Sequence, residues 1–165
     1  MGITIFTPAP FPPDEPARNE AALRSGLLGR VSDPGLVGIA KRVRDRLEVR
    51  WCGMSVVLSD IQHVVASSGG LMGIFRRSTS LCSYAIFAPD EVFVVLDAVA
   101  DERFAGNPYV DDGAIRFFAA MAIRDRAGYA IGAVCATDHA PRAGFSDEDD
   151  RVMRDAATDI AAMLA

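Results

Sequence analysis

The sequence predicts an α+β domain (α/β three-layer) built on a single antiparallel sheet of five to six strands. The N- and C-terminal helices are expected on one face, and a short helix and loops over a pocket on the other. Three observations carry this reading. Residues 115–123 (IRFFAAMAI) and 129–138 (YAIGAVCATD) are long apolar runs of β-branched, aromatic and small residues, joined by a charged turn ending in Gly128. Leu36, Ala40, Val43 and Leu47 recur at helical spacing, as do Val152, Ala156, Ile160 and Met163 near the C-terminus. The segments 80–87 and 97–110 are too short or too polar to form another layer of long helices, so they roof the remaining face. A sheet face covered by loops is a place where a small ligand can be enclosed.

The elements follow in order. Residues 1–16 hold five prolines, which block helix and remove donors, so they read as an extended arm ahead of a domain at 17–165. A flexible tail is the expectation; an arm packed along the domain or a partner subunit is the alternative. Residues 17–29 predict a short helix ended by glycine. Ser32-Asp33-Pro34 opens a stronger one, with a capping residue before an early proline. Trp51–Ser59 and His63–Ser67 read as two strands of a hairpin, turning at Asp60-Ile61-Gln62 and broken by Ser68-Gly69-Gly70. Residues 71–79 read as loop or a helical turn. Ser80–Phe87 is a small apolar helix carrying Cys82, and Val92–Leu96 an uninterrupted β-rich run, hence a buried strand. After the second hairpin, Ser146 and Asp149 form a capping-box-like start to a helix over 147–164.

Composition narrows the function classes. The net charge of −5 argues against nucleic acid or an anionic membrane as the main partner. No segment has the ~20 apolar residues a membrane span needs. Three cysteines without CxxC spacing do not read as a disulfide framework, so a reduced, cytoplasmic location is the expectation. Cys52, Cys82 and Cys135 sit in apolar surroundings and read as inert core thiols. The two histidines, His63 and His139, show no metal-ligand spacing with them.

At this point the sequence resembles a known family. S-L-C-S-Y-A-I (80–86), D-A-x-x-D-x-R-F-x-x-N-P-x-V (97–110), I-R-F-F (115–118), G-Y-x-I-G-x-V-C-x-x-D (128–138) and P-R-x-x-F-S (141–146) are similar, in order and spacing, to GAF domains of the bacterial signal-transduction type. The resemblance covers nearly the whole chain after the proline arm. It implies a PAS-like sheet with a ligand pocket, a sensory role, and signalling through the terminal helices. There are departures. Phe118, Ala120 and Met121-Ala122-Ile123 stand where the group usually has tyrosine, glycine and Ala-Pro-Leu; Ile61-Gln62-His63 stands for the usual Arg-Gln-Trp. These changes alter the presumed cavity wall, so the family's ligand assignments do not carry over.

No catalytic constellation is visible, and no enzyme activity is expected. Bilin attachment in the family needs an exposed cysteine with a neighbouring histidine or a specific aspartate loop, and Cys82 is followed by Ser83-Tyr84; neither haem nor bilin is expected. The signature of nucleotide-binding GAF domains is missing. A free methionine sulfoxide reductase would need paired cysteines, and Cys82 and Cys135 are distant in sequence. What remains is a mixed pocket whose candidate residues are Cys82, Asp97, Phe104, Tyr109, Arg116 and Phe118. Arg116, alternating with Phe118 on the strand, offers a forked donor for an anion; the alternative is pairing with Asp97 or Asp101. Phe104 and Tyr109 are core or lid, with core favoured. The expected function is a stand-alone sensory module that binds an unknown small molecule or a protein and signals in trans, as a homodimer. A ligand-free dimerisation module is the alternative, and a thiol reductase a more distant one.

Overall fold

The computed structural model describes residues 6–164. Six strands form one antiparallel sheet: β1 (Trp51–Val57), β2 (Ile61–Ser67), β3 (Gly73–Arg76), β4 (Phe93–Val95), β5 (Phe117–Arg124) and β6 (Ala130–Asp138). Their order is β3-β2-β1-β6-β5-β4. The most apolar hairpin, β5–β6, supplies the centre because its residues can be buried on both faces.

Alternation along β6 builds two cores. Val134 and Ala136 join Met54, Val56, Phe117 and Ala119 beneath α2 (Pro34–Leu47) and α5 (Asp147–Ala161). Ala133 and Cys135 face the other way, with Phe118 and Ala120, beneath α3 (Cys82–Phe87). The expected helical layer is thus in place. In α2 the stripe Leu36, Ala40, Val43 and Leu47 is buried, joined by Ile39. In α5 the buried stripe is Met153, Ala156, Ala157 and Ile160, rotated slightly from the expected one, so Val152 is only half-buried.

Capping follows local chemistry. Asp33 accepts from Gly35 N at 2.8 Å to start α2. Ser146 Oγ accepts from Asp149 N at 3.1 Å, and Asp149 Oδ2 from Ser146 N at 2.9 Å, a reciprocal box at the start of α5. Replacing Ser146 by alanine is expected to cost about 1 kcal/mol, seen as a lower urea midpoint at unchanged slope.

Three sequence expectations need correction. First, α1 (Glu15–Arg24) begins inside the predicted arm, because Pro16 occupies the first turn, where a missing N–H costs nothing. It also ends before residue 29; a separate 3-10 turn covers 27–29 after Gly26 at φ 82°. Second, the described part of the arm is anchored on the domain at Phe6, Ala9 and Pro12, with the residues between them exposed. Phe6 and Ala9 are buried, and Phe6 stacks on Phe104 with centroids 6.4 Å apart. Residues 1–5 of the arm lie outside the described residues. Third, β2 starts at Ile61 rather than His63, and residues 73–76 are neither loop nor helix but the edge strand β3, paired to it from Ile61↔Arg76 to Val64↔Gly73. No helix among the described residues is long and apolar enough to cross a membrane.

Candidate functional site

Opposite the long helices, the roof has two parts with different contents. Over β4 and β5 it is solid. Phe93 stacks on Tyr84 at 5.0 Å, and Phe104, fully buried, meets Tyr84 and Phe93 edge-on at 5.5 and 6.2 Å. Arg103 lies over the Phe93 ring at 5.2 Å and pairs with Asp101 at 2.6 Å. Over β1, β2 and β6 the roof stands off, leaving a cavity of about 550 Å3. That size is in the ordinary range for small-molecule sites.

The cavity floor is Trp51, Gln62, Val64, Phe118 and Cys135; Phe75 of β3 forms one side, and Cys82, Tyr109 and Ile115 come from above. Trp51 can lie on the sheet because residue 53 is glycine. A Cβ there would sit 2.4 Å from the indole ring. Phe75 meets Tyr109 edge-on at 6.4 Å, closing wall to roof. Asn107, fully buried, caps α4 (Pro108–Asp111) through Tyr109 N at 3.0 Å and donates to Thr79 O at 3.1 Å, tying the Asp97 segment to the turn before α3. Gln62 joins three elements: its Nε2 donates to Ser55 Oγ at 2.9 Å and lies 3.6 Å from Cys82 Sγ, and its Oε1 accepts from Ser80 Oγ.

Two features of this wall stand out. Trp51 Nε1 is buried without a hydrogen-bond partner among the described residues, an unpaired donor of the kind that usually finds one. The Cys135 thiol lies in the same buried cluster as Cys82. Its interaction with Cys82, together with burial, pushes the Cys135 thiol well above its ordinary range. At the rim Arg50 and Arg76 stand against one acid, Asp112.

Of the residues singled out from sequence, the structure brings Cys82, Tyr109 and Phe118 to the cavity wall. Asp97, Phe104 and Arg116 do not line it. Arg116 turns to Asp97, with Nε at 3.1 Å and Nη2 at 2.7 Å from its carboxylate, and locks the loop instead of reaching a ligand. Those hydrogen bonds hold the Asp97 carboxyl below the usual carboxylate range. Phe104 belongs to the aromatic filling beside the cavity. Cys135, read as an inert thiol without a nearby partner, shares a buried cluster and the cavity lining with Cys82, where α3 packs on β6. Gln62, placed in the presumed cavity wall by the family resemblance, does line the cavity, whereas Trp51 and Phe75 were missed. The signal for Trp51 was available: a lone tryptophan two residues before a strand glycine, on the same face.

Among the described residues no group of three or more His, Cys, Asp or Glu side chains could hold a metal ion. The family model described as GAF domain matches residues 36–164. A cyclic di-GMP phosphodiesterase of Pseudomonas aeruginosa is 31% identical over 141 residues, 85% of this chain but 24% of that protein. The chain therefore spans about a quarter of that relative's length. Among solved structures, the GAF domain of an Acinetobacter phosphoenolpyruvate-protein phosphotransferase superposes with TM-score 0.63 at 16% identity, covering 89% of this chain and 87% of that one. A type II free methionine-R-sulfoxide reductase from Thermoplasma acidophilum does so with TM-score 0.63 at 16% identity, over 78% and 87%. At such identities the likeness is one of fold.

Proposed function

The chain belongs to the GAF domain family, and on that premise we propose that it is a regulatory module holding a small ligand in the cavity over β1, β2 and β6. The cavity itself is the observation that carries this reading: a space of about 550 Å3 with aromatic and aliphatic walls and few polar groups. The lining suits a planar, mainly apolar molecule that lies along the indole of Trp51 and offers an acceptor to its unpartnered Nε1. Two arginines against one aspartate at the rim favour a neutral or anionic ligand over a cation. The route out is short, because Cys135 on the floor is followed by Ala136, which packs beneath the helical layer. A change in β6 thus meets α5 directly and α2 by way of β1, and these helices are the elements through which a partner protein would be addressed.

The dimerisation reading has less support. The outer faces of α2 and α5 are charged and paired within the chain, Arg42 with Asp159 at 2.7 Å and Arg46 with Glu148 at 3.7 Å, and offer no apolar seam. The reductase reading has one observation in its favour, the presence of both Cys82 and Cys135 in the cavity lining. Consumption of free methionine sulfoxide with dithiothreitol, lost in Cys82→Ser, would replace the sensor reading.

The test is a thermal-shift screen with neutral and monoanionic heteroaromatic compounds. A ligand at 100 times its Kd is expected to stabilise the chain by about 2.7 kcal/mol, a rise in Tm of roughly 5–10 °C. Trp51 is the chain's single tryptophan, so the same ligand is expected to change its fluorescence, and Trp51→Phe to weaken binding while keeping the ring. A panel in which nothing shifts melting or fluorescence ends the proposal.

A further inference from the structure

We propose that a second small-molecule site lies beneath the proline-rich arm and takes a small zwitterion, a free aliphatic α-amino acid, with its carboxylate on Arg76 and its ammonium on Asp60. A space of about 470 Å3 opens there, beside the cavity over β1, β2 and β6. Pro8, Ala9 and Phe11 of the arm line it, together with the turn between β1 and β2, the end of β3, and Ser83 of α3. The arm is pinned in place: Ala9 is buried, and the Arg77 guanidinium lies 4.3 Å from the centre of the Phe11 ring.

The charges around this space select the ligand. Arg77 is satisfied within the fold, since Glu15 binds its guanidinium and Leu58 O accepts from it at 2.9 Å. Arg76 and Asp60 differ. Arg76 faces Ile61 across the β2–β3 ladder, and Asp60 O accepts from Arg77 N at 3.0 Å, so the two side chains leave adjoining stretches of backbone. Yet among the described residues neither side chain makes an ion pair or a hydrogen bond, with the other or with any third group. A cation and an anion left unpaired beside one space suit a molecule that carries both charges. A bare anion would meet Asp60 and a bare cation Arg76, each a like-charge contact. Pro8, Ala9 and Ile61 offer apolar surface to a short side chain.

Ser83 is the independent observation. It is 3% exposed, and its Oγ is buried without a hydrogen-bond partner among the described residues. A hydroxyl left in that state costs stability, and alanine at the same helical position would avoid the cost. A ligand carboxylate in the space that Ser83 borders supplies the missing acceptor. The first cavity does not, because it is lined by Cys82 and not by Ser83. The inference therefore stands whichever ligand the first cavity takes.

The experiment titrates the full chain by calorimetry with millimolar alanine, valine and leucine, beside their N-acetyl and amide derivatives, glycerol and inorganic phosphate. One of the free amino acids is expected to bind one to one. Blocking its amine or its carboxylate is expected to weaken binding about tenfold, as is Asp60→Asn. Ser83→Ala is expected to weaken it about fivefold while the melting temperature of the ligand-free chain holds or rises, whereas a hydroxyl with only a structural role would lower that temperature and leave affinity alone. Arg76 borders both spaces, so the control for the first cavity is Trp51→Phe, which is expected to leave amino-acid affinity unchanged. The proposal is overturned if no amino acid binds, if the blocked forms, glycerol or phosphate bind as well as the free ones, or if Ser83→Ala and Asp60→Asn match the parent. Loss of binding in Trp51→Phe alone also overturns it, by placing the ligand in the first cavity.

Discussion

Gly132→Ala is expected to abolish folding at ordinary temperature, the largest effect of any single substitution considered. Gly132 sits in the middle of β6, opposite Val56 of β1 and Ile123 of β5. A Cβ there would lie 1.9 Å from Ser55 O, 2.9 Å from Ser55 C and 3.1 Å from Val56 Cα. All three are backbone atoms of the neighbouring strand, so no side chain can swing away. The only relief is to part β1 from β6 at the centre of the sheet, which breaks ladder hydrogen bonds and opens both cores. Its φ lies outside the left-handed region, so the requirement is for space rather than for an unusual backbone, as glycine inside a strand often marks. A cost above about 4 kcal/mol is expected, a large share of the ~5–15 kcal/mol that holds a domain folded. Gly38 supplies the contrast. It is exposed in α2 with nothing within 4 Å of its Cβ position, and Gly38→Ala is expected to stabilise by roughly 0.5–1 kcal/mol. Urea denaturation of both variants checks the pair. A Gly132→Ala chain with a native midpoint would show that β1 and β6 can move apart at little cost.

What the sequence disclosed here was local. The β5–β6 hairpin, the α2 stripe, the Asp33 and Ser146 caps and the Asp101–Arg103 pair each rest on residues a few positions apart, where propensity and spacing act directly. The features missed depend on what a segment packs against. Residues 73–76, Gly-Ile-Phe-Arg, are a strand because β2 offers them an edge, and with Ile74 62% exposed nothing in their own pattern demands it. Phe6 fills space beside Phe104 although it belongs to a proline-rich run that reads as solvated. The cavity was expected between the sheet and the segments 80–87 and 97–110 as a whole. Phe93, Phe104 and Tyr84 pack the part over β4 and β5 solid, and the open part lies toward β1 and β2. Arg116 shows the same limit: its choice between a ligand and Asp97 is decided by where the Asp97 loop closes, which alternation along β5 does not encode.

Arg18 carries the second large prediction, and the sequence hides it, since an arginine in R-N-E-A-A-L reads as a solvated helix position. Arg18 is 1% exposed. Its Nη1 donates to Val57 O at 2.8 Å and Ala130 O at 3.1 Å, the carbonyls at the end of β1 and the start of β6. Its Nε and Nη2 grip Glu15 at 2.7 and 3.0 Å, and Arg77 binds the same carboxylate while donating to Leu58 O at 2.9 Å. One guanidinium thus fastens α1 to two strand ends, its bonds to the two carbonyls buried and those to Glu15 half-buried. Arg18→Met keeps most of the packing but leaves two buried carbonyls unpaired and Glu15 with a single cation. The expected loss is about 3–5 kcal/mol, the cost of breaking rather than replacing a buried charge network. The acid limb supplies an independent check. Burial pushes the Glu15 carboxyl up, but hydrogen bonds from Arg18 and Arg77 and their charges outweigh it, and its pKa lies below the ordinary 4.5. The folded state thus holds its proton more weakly than the unfolded chain. The resulting stability is fully present above about pH 4.5 and is lost as pH falls through the lower, folded value. Glu15→Gln is therefore expected to reduce stability at pH 7 and to flatten its fall in acid. Urea midpoints at pH 7 and below pH 4 read both effects. An Arg18→Met chain that matches the parent at both would mean that α1 is held by its alanines, Ala21 and Ala22, and that the buried charge contributes nothing.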